Sequence, residues 1–210
     1  MIVRSYHVGL IGTNCYLLMD ETTHTCALID PGDEGDFLVG KVRESGCELK
    51  MILLTHGHFD HVTAVPDVLR AYPGLPVYIH ERDYNDATTG GGFSEGIGPI
   101  ASAVYYKEGD TVQLGSLTIT VLETPGHTRG SVTLKVEDEA LFTGDTLFAG
   151  SCGRTDFPGG SYAQMLQSLA RLGRLPGDYK VYPGHESHST LDRERAVNYY
   201  MREAMSKLPQ

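Results

Sequence analysis

Thr55-His56-Gly57-His58-Phe59-Asp60-His61 places three imidazoles and a carboxylate within six residues. The run Met51-Ile52-Leu53-Leu54 just before it is apolar and reads as a buried strand. A helical pattern follows from Val62. The cluster therefore falls on a loop at the carboxyl end of a strand, where open α/β sheets place their chemistry. In an extended segment, residues two apart point to the same side, so His56 and His58 reach one common point. Asp60 and His61 are adjacent and point elsewhere. One loop with two ligand directions suggests two metal positions. Neutral imidazole and carboxylate at such spacing suit zinc, manganese or iron; a histidine-rich surface loop is the plainer alternative.

The 210 residues carry a formal net charge of -10, with a pI near 5.3. A nucleic-acid surface normally needs a basic patch, so no nucleic-acid partner is expected. No apolar run approaches the length of a membrane-spanning helix, and Met1-Ile2-Val3-Arg4-Ser5 lacks a signal-peptide pattern. Cys15, Cys26, Cys47 and Cys152 form no CxxC pair and read as free thiols in a reducing compartment. The expectation is one domain over residues 1–210, cytoplasmic, with neither membrane nor nucleic acid as partner.

Outward from the central loop, Ile2–Val8, Cys15–Met19 and Cys26–Ile29 read as a strand meander. Asp30-Pro31-Gly32 then forms a turn, and Asp30 is either a turn aspartate or a carboxylate supporting the site. Gly35–Glu44 has helical spacing, and Gly46 stops it. A helix starting near Ala64 tolerates Pro66 in its first turn. Val77–His80 is a strand, with His80 read as structural. Asp86–Val104 is glycine-rich and aperiodic, so it reads as a lid over the site or a loose insertion. Thr111–Leu114 and Leu117–Leu122 flank a two-residue turn as a hairpin. Ser131–Val136 and Ala140–Thr143 are strands. Ser161 and Gln164 make a capping box that opens a helix closed by Gly173. Tyr179–Tyr182 is a last strand, and Asp192–Lys207 a final helix. Each half runs strands first, then strand and helix in alternation, which predicts an α/β sandwich of two sheets covered by helices.

Four strand ends now carry ligand-type residues: the central loop, His127, Asp145 and His185. A glycine precedes a ligand at each: Gly57, Gly126, Gly144 and Gly184. A catalytic zinc takes three protein ligands and keeps one position open. Two such metals need six ligands, or seven with a shared carboxylate. The candidates are seven: His56, His58, Asp60, His61, His127, Asp145 and His185. Asp145 is the natural bridge, because a carboxylate has two oxygens and an imidazole is not easily shared.

The order Thr-His-x-His-x-Asp-His, Thr-Pro-Gly-His-Thr, Thr-Gly-Asp and Tyr-Pro-Gly-His, from residues 55 to 185, resembles the metallo-β-lactamase superfamily. Within it, Gly150–Phe157 and Ser189–Glu194 resemble the small glyoxalase II-like (hydroxyacylglutathione hydrolase-like) hydrolases. The resemblance implies an αββα fold and a dinuclear centre, with zinc as the first expectation and iron or manganese as alternatives. It implies His56, His58 and His127 on one metal, Asp60, His61 and His185 on the other, and Asp145 between them. The β-lactamases proper typically have Cys or Ser where Asp145 stands. Glyoxalase II itself has a lysine at the position of Arg154, a tyrosine at that of Ser187, and a helical C-terminal domain, whereas this sequence ends shortly after His185. That difference leads to the expectation of an open site tolerant of varied thiol portions.

The implied reaction is hydrolysis of a small-molecule thioester. Two metals roughly 3.5–4 Å apart can hold a shared hydroxide at neutral pH, and this attacks the carbonyl. Asp60 binds metal and orients the hydroxide. A thiol pKa near 8.5 lets thiolate leave without a dedicated acid. Arg154 either pairs with a substrate carboxylate or makes a structural ion pair. The enzymatic rival is a mononuclear iron persulfide dioxygenase, which uses the positions of His56, His127 and Asp145 and shares the stretch Cys152–Phe157. A non-catalytic metal-dependent binding protein is a further alternative.

Overall fold

The computed structural model describes residues 1–91 and 95–208. The chain opens with three antiparallel strands, β1 (Ile2–Val8), β2 (Thr13–Asp20) and β3 (Thr25–Ile29). Helix α1 (Gly35–Ser45) then crosses to β4 (Glu48–Leu53), parallel to β3. The short α2 (Phe59–Val62) and α3 (Val65–Ala71) lead to β5 (Val77–His80). Helix α4 (Glu81–Thr89) leads to β6 (Ala103–Tyr106), and β4, β5 and β6 run parallel. These six strands form one sheet in chain order.

The second half repeats the plan. Strands β7 (Thr111–Leu114), β8 (Leu117–Glu123), β9 (Val132–Val136) and β10 (Ala140–Gly144) form an antiparallel meander. A two-stranded ribbon, β11 (Leu147–Phe148) and β12 (Ser151–Cys152), precedes helix α5 (Tyr162–Gly173). Strand β13 (Lys180–Pro183) then adds parallel to β10, and β14 (Ser189–Thr190) closes the edge. Helices α6 (Leu191–Val197) and α7 (Tyr199–Lys207) follow.

Strand β2 shows why the sheets stack. All eight of its residues are buried, because both faces of the sheet are covered. Cys15, Leu17 and Met19 face the helical layer with Leu38, Val42, Val65 and Val68. Tyr16 and Leu18 face the second sheet with Ile119, Leu134 and Phe142. On the far side, Leu141 and Val181 pack against Met165, Leu169 and Met201 of the covering helices. The result is the αββα sandwich of two mixed sheets. Asp20 ties the layers at one end, accepting from Ser116 N (2.7 Å) and Ser116 Oγ (2.9 Å) in the β7–β8 turn.

Three expectations need correction. Asp60 and His61 lie on α2 rather than on loop. Asp86–Val104 is not a continuous loop: Asp86–Thr89 belongs to α4 and Ala103–Val104 to β6. Its described remainder folds back onto α4, with Ile97 N donating to Ala87 O, Gly98 N to Thr88 O, and Ile100 N to Tyr84 Oη. Ile100 is buried in the core, and no described residue of this segment lines the central cavity. Residues 92–94 of that prediction lie outside the described residues. The final helix is two helices. Asn198 breaks it in an extended conformation and caps α7, while its Nδ2 donates to Ser151 O, Phe148 O and Glu194.

Candidate metal centre

The central loop leaves β4 at the end of the first sheet. His58 is extended (φ −70°, ψ 148°), so His56 and His58 turn to one side as their spacing requires. Helix α2 then turns Asp60 and His61 toward a second point. The second sheet delivers His127 after β8, Asp145 after β10 and His185 after β13. Donor atoms of His56, His58 and His127 lie within 4.8 Å of one another, as do those of Asp60, His61 and His185. Asp145 stands between the two triads, with Oδ1 3.4 Å from His61 Nε2, and Oδ2 3.4 Å from His127 Nε2 and 3.6 Å from His185 Nε2. All seven candidates converge.

Neighbouring groups fix which nitrogen of each ring faces inward. His127 Nδ1 lies 2.7 Å from Arg154 O. A carbonyl only accepts, so Nδ1 carries the proton and Nε2 the lone pair. His61 Nδ1 donates likewise to Asp30 Oδ2 at 3.0 Å. Thr55 Oγ1 gives its one proton to Asp30 Oδ2 at 2.6 Å, so His56 Nδ1, 3.1 Å away, must donate to that hydroxyl. Each of these rings thus turns its Nε2 to the centre, with His127 Nε2 2.8 Å from His58 Nδ1, and such supporting hydrogen bonds are how histidine is oriented for a metal.

Two of these nitrogens and one carboxylate oxygen stand without partners. His56 Nε2, His61 Nε2 and Asp145 Oδ1 are buried and accept no hydrogen bond, a costly condition that a bound cation would relieve. Burial, reinforced by neighbouring rings, pushes His56 well below the usual histidine range and His58 down to about 4, which keeps both neutral as metal ligation requires. Burial opposes charge on His61 too, but Asp60, Asp145 and Asp30 outweigh it and hold that ring well above the usual range. Burial would raise Asp60 and Asp145; the His61 charge overrides it and holds both carboxyls low. The protein thus places a proton where a cation would sit, and the donor set fits a metal pair.

The sequence profile of the metallo-β-lactamase superfamily matches residues 8–185. The chain belongs to the metallo-β-lactamase superfamily. Hydroxyacylglutathione hydrolase GloC of Haemophilus influenzae is 32% identical over 90% of this chain and 92% of its own. A crystal structure of TTHA1623 in a di-iron-bound form superposes with a TM-score of 0.83 at 36% identity, covering 94% of this chain and 99% of that one. ETHE1 from Myxococcus xanthus gives 0.79 at 30%, covering 100% and 93%. Metallo-β-lactamase superfamily members bind divalent metals and act as metal-dependent hydrolases.

Around the metallo-β-lactamase centre lies a cavity of about 970 Å³, with Ile11, Phe59, Phe148 and Phe157 among its apolar walls. Arg154 lines it, but its guanidinium makes a two-point pair with Asp156 (2.8 Å each) and lies over Phe157. Its backbone carbonyl, which fixes His127, is a role that residue-type reasoning could not find.

Three supporting residues were also less visible. Asp30 is buried at φ 51° and is both turn and support, accepting from Thr55 N (2.7 Å), Thr55 Oγ1 and His61. Thr13 Oγ1 donates to Asp60 Oδ2 (2.9 Å). Asp83, in the first turn of α4, is 1% exposed. Asp30 alone carried a signal, in the Asp-Pro-Gly turn.

Proposed function

We propose that the protein is a dinuclear metal-dependent hydrolase of small-molecule thioesters, with two divalent ions, zinc first, in the cytoplasm. The observation that carries the two-ion reading is the pair of triads on either side of Asp145, each with one buried ring nitrogen, His56 Nε2 in the first and His61 Nε2 in the second, turned inward and unpartnered. His56, His58 and His127 would hold one ion and Asp60, His61 and His185 the other, with Asp145 between. When bound, the ions would lower the pKa of water to near neutral and polarise a carbonyl oxygen.

Thr13 and His185 contact Asp60 at Oδ2 (2.9 and 3.2 Å). Its Oδ1 has no hydrogen bond among the described residues, and is the proposed acceptor for the proton of the attacking water. Asp30 and the Arg154 carbonyl orient the rings of His61 and His127. Ile11, Phe59, Phe148 and Phe157 shield the carbonyl from bulk water. The Arg154–Asp156 pair is exposed and screened by solvent, so Arg154 can exchange Asp156 for a substrate carboxylate. The GloC relative supports the thioester class. The free cysteines support a reducing compartment, and no described helix is long and apolar enough to cross a membrane.

The second reading, a mononuclear iron persulfide dioxygenase, draws on the 3.4 Å approach of His127 to Asp145 and on the Cys152–Phe157 stretch. Elemental analysis with a thioester assay separates them. Two ions per chain with thioester turnover is expected; one iron per chain after metal supplementation, with oxygen consumed on a persulfide, overturns the hydrolase.

A further inference from the structure

We propose that Asp83 is the positioning residue of one metal position and not of the other, so that a separate buried carboxylate supports each. This rests on the two-metal reading above. Asp83 sits in the first turn of α4. Its Oδ2 accepts from Gly57 N (3.0 Å) and Thr128 Oγ1 (2.6 Å), and its Oδ1 from Gly130 N (2.6 Å). Gly57 stands between His56 and His58, and Thr128 follows His127. One carboxylate therefore joins the two loops that deliver the first triad, although those loops come from different sheets.

The glycines record how close the helix lies. A Cβ on Gly57 would fall 2.3 Å from the Asp83 backbone oxygen, and one on Gly130 2.4 Å from Asp83 Oδ1. The second triad makes no recorded hydrogen bond to Asp83. His61 is held by Asp30 and Asp60 by Thr13. Residues 97–100, bonded to α4, brace the helix that carries Asp83.

Asparagine is the discriminating substitution. Gly57 and Gly130 both present backbone N–H groups, one to each oxygen. Whichever way the amide turns, its NH2 meets one of them, and a bond is lost without a change of size. Loss of such a supporting partner typically lowers metal affinity 10- to 100-fold.

The test is chelator competition on the zinc-loaded protein, counting retained zinc by elemental analysis, with the visible spectrum of the cobalt-substituted protein reporting which position empties. Asp83→Asn is expected to lose one ion at 10- to 100-fold lower chelator concentration and to keep the other as the wild type does. Asp20→Asn, removing a carboxylate that also receives several hydrogen bonds, seven residues along β2 from Thr13, should keep both. Should Asp83→Asn fail to fold, Thr128→Val must weaken the same ion and Thr128→Ser must restore it. Both ions held at wild-type affinity, or both weakened equally, overturns the proposal. A wild type that takes up a single ion defeats the two-metal reading instead; the role of Asp83 is then decided by that ion, and unchanged affinity in Asp83→Asn refutes it.

Discussion

Asp30→Asn tests the geometry most directly. Asp30 is 2% exposed, and three donors converge on it: Thr55 N on Oδ1, Thr55 Oγ1 and His61 Nδ1 on Oδ2. An asparagine keeps one oxygen. With that oxygen on Thr55 N, its NH2 faces the hydroxyl and the imidazole. The hydroxyl can turn and accept. His61 can accept only by moving its proton to Nε2, the atom that faces Asp60 and Asp145, and this blocks the lone pair a metal needs. A hydrogen bond to a charged group is worth about 1.5–3 kcal/mol, so the metal-free protein should lose about 2 kcal/mol in urea unfolding. Metal affinity at the His61 position should fall 10- to 100-fold, about 1.4–2.8 kcal/mol. The assay is competition with a chromophoric chelator, beside urea melts of the stripped protein. Affinity within threefold of wild type for both ions, with only the melt displaced, would show Asp30 to be a turn residue and refute the tautomer reasoning.

Asp145→Ala removes the carboxylate between the triads, so elemental analysis should find fewer than two ions per chain and activity should collapse; full activity with both ions denies the bridge. Glutathione thioesters should be hydrolysed only modestly better than lactoyl thioesters of small thiols, since Arg154 must give up its two-point pair with Asp156 for any substrate carboxylate it gains. A kcat/KM preference beyond about a thousandfold, about 4 kcal/mol, contradicts this. Asp20 is held below the ordinary carboxylate range, first by the Ser116 backbone N–H and also by Thr23, Thr22 and the Ser116 hydroxyl, against a smaller opposing effect of burial. A depressed native pKa means stability that is present above the unfolded value near 3.9 and lost as pH falls below it. The Tm gap between wild type and Asp20→Asn should therefore be widest near neutral pH and close below about pH 4; a gap independent of pH assigns the effect to shape rather than charge.

The strands and the seven converging side chains were legible because their signals are local. Apolar runs mark strands buried on both faces, and glycine-preceded histidines and aspartates mark strand ends. Helix α4 was not, because Glu81–Thr89 is mostly polar and runs into glycines, so it carries no broad apolar stripe. Only the close approach of Gly57 and Gly130 explains why Asp83 is buried there. The break at Asn198 was hidden for a related reason. Its amide bonds to Phe148 O and Ser151 O, some fifty residues away, and no periodicity announces such a contact. His127 was readable as a donor, but the carbonyl of Arg154 that orients it was not, since every residue has a carbonyl.

Each triad takes two members from the segment that follows β4, on the loop or on α2, and one from the second sheet, and Asp145 comes from the second as well. A growing polypeptide therefore presents His56 through His61 long before it presents His185. At roughly 5–20 residues per second, the stretch from His61 to His185 takes on the order of 6–25 s to synthesise. Until His127 is made neither triad is complete, and the second stays incomplete until His185 is made. On the two-ion reading, a tightly held second ion would require that β13 has found its place beside β10, which would make metal loading a late checkpoint on assembly.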